Sequence, residues 1–175
     1  MTDIQLQTLN EAICGDERAC EQILNLYKGR IFSYIFRLVQ NYHDAEDLTF
    51  ETFTKCFRSL KTYQPDRSFK SWLFTIAHNT TIDFFRRNKY DVEYLDEIHS
   101  MPDRFVEDYE KQKKLEKIDA ALTQLSAQDR AIVILFHYEE HSYDEISQLL
   151  DMPVTTIKTR LHRARLKLRE IVTKS

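Results

Sequence analysis

The chain is poor in the residues that make turns and in those that make cross-links. Its 175 residues include two glycines, three prolines, three cysteines and one tryptophan. So few Gly and Pro leave little material for the hairpin turns of a β-rich fold. Nearly every apolar run repeats at three and four residues instead, which predicts an all-α protein. Cys14, Cys20 and Cys56 are odd in number and lack metal-ligand spacing, so buried free thiols in a reducing cytoplasm are expected. No apolar run approaches the roughly 20 residues that cross a bilayer, and no secretory leader is legible. Membrane insertion is therefore not expected. Nor is an enzyme or a cofactor, since the chain has no nucleophile motif and no Gly-rich phosphate loop.

What is present is charge in alternating blocks. The net formal charge is −3, but residues 67–89 carry five bases against one acid, residues 91–110 eight acids against one Arg, and residues 151–175 seven bases against two acids. The acidic block has Pro102 and few closely spaced apolar residues, the composition of a flexible linker. The expected organisation is two small helical domains, 1–90 and 114–175, joined by an acidic linker at 91–113.

Residues 142–168, SYDEISQLLDMPVTTIKTRLHRARLKL, predict a helix-turn-helix. Ser142 and Glu145 form a capping box that starts the first helix. Asp151 tolerates the left-handed backbone of a tight turn, and Pro153 cannot continue the helix before it. In the second helix Ile157, Leu161, Ala164 and Leu168 share one face, to be buried. Thr155, Thr159, His162 and Arg163 point the other way, flanked by Thr156 and Lys158, as candidates for base edges. Arg160, Arg165, Lys167 and Arg169 lie toward the sides, where a helix in the major groove meets phosphates.

Upstream, Gly15 stops a short helix over residues 4–13 and Asp16 caps the next, whose stripe from Ile23 to Leu38 is core material. Asp44 is the expected N-cap of DAEDLTFETFTKCFRSL. Its outer side runs from Asp44, Asp47 and Glu51 to Lys55 and Arg58, the order that suits the helix dipole; Phe50 borders the acids without an evident place in the core. After the loop at 62–68, FKSWLFTIAHNTTIDFFRRNK puts Asn79, Asp83 and Arg86 or Arg87 on one outward stripe. These residues alone suit equally an Asp83–Arg87 surface pair and a surface for single-stranded nucleic acid, with aromatics beside positive charge. His137, Glu140 and His141 spell H-x-x-E-H, a zinc-protease pattern that needs one continuous helix. The helix start at Ser142 argues against it.

The basic segments, their order and their separation resemble the extracytoplasmic-function group of bacterial sigma factors, promoter-specificity subunits of RNA polymerase. Residues 44–53 resemble the group's core-polymerase-binding helix, 69–87 its −10 reader and 125–168 its −35 reader. Phe50 stands where Gln is common, Ser126 where Pro is frequent and Asp151 where Gly is. The resemblance implies core-polymerase contacts at Asp44, Asp47, Phe50 and Glu51. It implies −10 contacts at Asn79, Asp83, Arg86, Arg87 and Lys70, the last at the end of a loop that holds an extruded base. It implies −35 contacts at Thr155, Thr156, Lys158, Thr159, Arg160, His162, Arg163, Arg165 and Lys167. The implied partners are RNA polymerase core, promoter DNA (duplex at −35, single strand at −10) and an anti-sigma factor. The competing reading is a free-standing helix-turn-helix regulator, which binds duplex without polymerase.

Overall fold

The computed structural model describes residues 4–64, 68–88 and 118–174. Among them every regular element is helical: α1 (Leu6–Ile13), α2 (Glu17–Val39), α3 (Tyr42–Ser59), a 3-10 turn at Leu60–Thr62, α4 (Phe69–Arg87), a short α5 at 118–123, α6 (Ala127–His137), α7 (Tyr143–Leu150) and α8 (Val154–Lys174). The expected acidic linker, 91–113, lies outside the described residues.

Local chemistry sets most of the helix ends. Gly15 takes a left-handed φ of 92°, and the Asp16 carboxylate accepts the Ala19 N–H at 2.8 Å to start α2. Gln40 at φ 58° ends α2, and a two-residue connection folds α3 back onto it. The cap of α3 is not Asp44 but Asn41, whose side chain accepts the Asp44 N–H at 3.1 Å. Asp44 lies in the first turn, where its charge still favours the N-terminal end of the dipole.

The first half is built on α2. Ile23, Tyr27, Ile31, Tyr34 and Leu38, spaced by four, four, three and four, are at most 1% exposed, and α3 and α4 both pack on this helix. Phe69, at the start of α4, meets Tyr27 and Tyr63 edge-on with ring centroids 5.7 and 5.5 Å apart. Buried Thr49, Thr52 and Thr81 donate to the carbonyls of Ala45, Leu48 and Ala77, so their hydroxyls are not stranded in the core. His78 is held similarly, its Nδ1 2.9 Å from the Tyr34 hydroxyl.

In the second half, α6, α7 and α8 pack on one another. Ser126 caps α6 through the Asp129 N–H at 3.2 Å, and α7 opens with the Ser142–Glu145 capping box. Asp151 adopts φ 52° between α7 and α8. The H-x-x-E-H residues do not share a helix. α6 ends at His137, Glu140 turns left-handed at φ 53°, and His141 lies beyond the turn, buried.

The two halves are docked: α2 packs on α6 and α4 on α7. The seam is polar in a way that single elements do not announce. Arg30 donates through Nε and Nη2 to one Glu139 carboxylate oxygen, at 2.9 and 2.6 Å. Arg37 Nε meets Asp119 at 3.0 Å, and its guanidinium lies 4.4 Å from the Tyr138 ring centroid. The Lys70 ammonium donates to the Glu139 carbonyl, and the Ser71 hydroxyl to Glu145 at 2.7 Å. His141 sits edge-on to Phe74, with centroids 5.3 Å apart.

Arg130, only 1% exposed, holds the centre of this arrangement. It donates to the carbonyls of Leu122, Thr123 and Leu125 in its own half, and through Nη1 to those of Arg37 and Leu38, at 3.2 and 3.3 Å. The last two belong to the final turn of α2, whose carbonyls have no partner within the helix. A buried cation at that end also complements the helix dipole.

Burial pushes His78 and His141 down to about 4, so both are neutral in the folded chain at pH 7. On acidification an unfolded chain takes up protons at imidazoles near pH 6.5 that the folded chain refuses until about pH 4. Their contribution to stability is therefore complete above about pH 6.5 and shrinks as pH falls toward 4, by about 1.4 kcal/mol per pH unit for each ring kept neutral. Urea midpoints measured from pH 7.5 to 5 should fall in step. A midpoint constant over that interval would mean that these rings are in water.

Candidate nucleic-acid interface

The face of α8 that the other helices leave uncovered is the one its periodicity assigns to DNA. Ile157, Leu161 and Ala164 are at most 3% exposed, whereas Thr155, Thr159, His162 and Arg163 are exposed. Leu168 and Thr156 are intermediate and Lys158 is exposed, its ammonium 5.3 Å from the Tyr143 ring centroid. The Thr159 hydroxyl donates to the Thr155 carbonyl at 2.9 Å.

The flanking cations are braced by their own half. Arg160 reaches Asp129 at 2.8 Å. Arg165 donates to Nε2 of His137 at 3.1 Å, with its guanidinium 5.2 Å from the Phe136 centroid. Lys167 donates to the Gln124 carbonyl at 2.6 Å. A guanidinium has five N–H donors and an ammonium three, so each retains donors for a phosphate. Burial, and the Arg165 charge after it, lower the His137 pKa, which suits a ring that accepts from a guanidinium.

On α4, Asn79, Asp83, Arg86 and Arg87 are exposed. Asp83 pairs with Arg86 at 3.6 Å, not with Arg87, which reaches Glu51 on α3 at 3.5 Å. Lys70 does not join this stripe. It lies in the first turn of α4, nine residues before Asn79, which at roughly 100° per residue places it on the opposite side of the helix. There it faces the second half and Glu139.

On α3, Asp47 is exposed, Asp44 is half-buried and Phe50 is 77% exposed. Glu51 is the most engaged of the acids, 2.8 Å from Lys55 and 3.5 Å from Arg87. The Lys55 hydrogen bond, ahead of the neighbouring charges, holds its carboxyl below the usual range. Reading the sequence missed the setting of Phe50. It edges an open groove of about 460 Å³ between α2 and α3, shared with Leu24, Phe32, Tyr42 and Phe53. The signal in the sequence was a second aromatic, Tyr42, just before the acids of α3; it is 40% exposed and lines the same groove.

Known proteins match two stretches of the chain. The family model for sigma-70 region 2 matches residues 23–90, and that for sigma-70 region 4 matches residues 115–168. The ECF RNA polymerase sigma factor SigW of Bacillus subtilis is 34% identical over 169 residues, 89% of this chain and 90% of that protein. The RNA polymerase sigma factor YlaC of the same organism is 31% identical over 163 residues, 89% of this chain and 92% of that protein. Among solved structures, the sigma factor RpoE of Bartonella quintana, in complex with the anti-sigma factor NepR, superposes with a TM-score of 0.75 at 25% identity. That alignment covers 87% of this chain and 96% of the other. With both regions matched in order, and relatives above 30% identity along nearly their whole length, the chain belongs to the ECF group of the sigma-70 family of RNA polymerase sigma factors.

Proposed function

We propose that this chain is the promoter-specificity subunit that binds RNA polymerase core, carries it to −35 and −10 elements and helps to open the DNA. It acts as a soluble cytoplasmic factor with no catalysis of its own, and an anti-sigma factor is a further partner. The observation that supports it most is the pairing of two unlike surfaces on one chain. α8 presents an unobstructed polar and basic face for duplex, and α3 presents an acid-edged apolar groove around Phe50 for protein. A free-standing regulator has no use for the second. Transcription from genomic DNA by purified core polymerase, with and without the chain, tests it. New start sites that depend on the chain are expected; duplex binding without any core-dependent start would favour the regulator.

In this reading Thr155, Thr156, Lys158, Thr159, His162 and Arg163 meet −35 bases, and Arg160, Arg165 and Lys167 meet phosphates. Asn79, Asp83, Arg86 and Arg87 line the −10 strand. Lys70 reaches DNA only after the second half has moved away from it. Arg163→Ala should relax preference at one −35 position by about 1 to 3 kcal/mol. Lys167→Ala should weaken all sequences alike and reduce the salt slope by about one unit, as one fewer counterion is released. Binding selection over randomised −35 duplexes at two salt concentrations separates the two. The reverse pattern would mean that α8 enters the groove rotated from this assignment.

A further inference from the structure

Two pairs of cations flank the exposed face of α8, and they are held by unlike chemistry. Lys158 and Arg165 are seven residues apart, as are Arg160 and Lys167. At roughly 100° and 1.5 Å per residue, the members of each pair lie nearly in line, about 10 Å apart along the axis. The same turn puts the two pairs on opposite edges, with Thr159 and His162 between them. Arg160 and Lys167 are tied to oxygens, the Asp129 carboxylate and the Gln124 carbonyl. Lys158 and Arg165 lean instead on rings, the ammonium 5.3 Å from the Tyr143 centroid and the guanidinium 5.2 Å from that of Phe136. Those two rings are themselves stacked, with centroids 4.9 Å apart and planes 27° from parallel, joining the end of α6 to the start of α7. His137, edge-on to Phe136 with centroids 5.1 Å apart, accepts the Arg165 Nε–H at 3.1 Å.

We propose that Phe136 and Tyr143 form a bracing stack that holds Lys158 and Arg165 as a matched pair of phosphate ligands for one strand of duplex DNA, with Tyr143 the positioning residue for Lys158. This role rests on the promoter reading above, and it makes Lys158 a backbone contact rather than a base contact. A carboxylate or carbonyl takes N–H donors from the cation it braces. A ring face engages the charge and need not consume any of the ammonium's three donors, which stay free for phosphate oxygens. A lysine loose in water gives up a large side-chain entropy when a contact fixes it. Held over a ring, it has lost part of that freedom on folding, before DNA arrives. Lys158, Arg165 and His137 are exposed, while the two rings are half-buried against the core. The rings are thus anchored in the fold, and their cations are not covered by it.

The test titrates the full chain with a pool of randomised −35 duplexes at two salt concentrations. Lys158→Gln should lower affinity about fivefold and reduce the salt slope by about one unit, as one phosphate contact goes. Tyr143→Leu, which keeps apolar volume without a ring, should lower affinity about threefold, and Tyr143→Phe should match the unaltered chain. None of these variants should change the selected −35 sequence, since phosphates carry no base identity. The decisive measure is coupling: on the Lys158→Gln background Tyr143→Leu should cause no further loss, because the ring acts through the ammonium. In NMR spectra of the unaltered chain the Lys158 Hε resonances, identified by their loss in Lys158→Gln, should stand upfield of those of the other lysines, shifted by the ring current. Hε resonances at the position of the other lysines overturn the brace without recourse to any Tyr143 variant. So does an equal loss from Tyr143→Leu on both backgrounds, or a Tyr143→Phe chain as weak as Tyr143→Leu, which would put the hydroxyl on the DNA. A changed base preference in Lys158→Gln returns Lys158 to the bases and overturns it too. An unaltered chain with no affinity for duplex removes the promoter reading together with the brace, whereas duplex binding that ignores both substitutions removes the brace alone.

Discussion

Asp47→Arg combined with Phe50→Ala is expected to weaken binding to polymerase core by at least two orders of magnitude, with helix content and thermal stability nearly unchanged. Phe50 is 77% exposed and Asp47 is exposed too, so neither side chain is part of the buried core. An aromatic anchor at a protein interface commonly contributes 2 kcal/mol or more, and 1.4 kcal/mol is tenfold in affinity. Reversing a charge at its edge adds repulsion. Glu51 is the poorer choice for this experiment because it ties α3 to α4 through Lys55 and Arg87, and its loss would disturb both helices. Surface-immobilised core titrated with the double variant gives the answer. Affinity within threefold of the unaltered chain would move the docking site away from α3.

Arg130→Leu should cost about 3 to 5 kcal/mol of stability, the range for breaking a buried charged network by removing one member. Five carbonyls lose the guanidinium; the Gln40 side chain still donates to that of Arg37 and the Leu125 N–H to that of Leu122, while those of Leu38, Thr123 and Leu125 lose the donor that Arg130 supplied. Leucine supplies the volume but none of the hydrogen bonds, and an unsatisfied buried acceptor costs about 1 to 3 kcal/mol. Arg130→Lys should recover little, because an ammonium has three donors where the guanidinium has five in a fixed plane. Burial alone lowers the Arg130 pKa to about 10, which leaves it charged at pH 7. Urea unfolding of the full chain measures the loss. A change below about 1 kcal/mol in Arg130→Leu would mean that water takes over the carbonyls, a small effect by the standard of buried hydrogen bonds.

The parts of this molecule that could be read from sequence are those whose signal lies within a few residues. The Ser142–Glu145 capping box, the left-handed Asp151 and the buried Ile157–Leu161–Ala164 row of α8 each depend on a window of one or two helical turns, and each stands in the structure as its pattern implies. The start of α3 was misplaced because Asn41 and Asp44 are both good caps, and only the turn at Gln40 decides between them. Lys70 entered the −10 set through the resemblance, as the end of a loop, and the structure instead places it in the first turn of α4, facing the second half. The seam was illegible for a different reason. Arg30 and Glu139 are 109 positions apart, and each taken alone is an ordinary charged residue beside a helical stripe. Nothing local marks Arg130 as buried, because Arg at a helical position is neutral by propensity.

The guanidinium of Arg130 also sets an order of events during synthesis. The closing turn of α2 is complete when residue 40 leaves the ribosome, yet the guanidinium that its Arg37 and Leu38 carbonyls share is 93 and 92 residues further on. At about 5 to 20 residues per second, that donor arrives on the order of 5 to 20 seconds later. In the interval the nascent first half ends α2 against water, with the ground that α6 will cover open to chaperones and to polymerase alike.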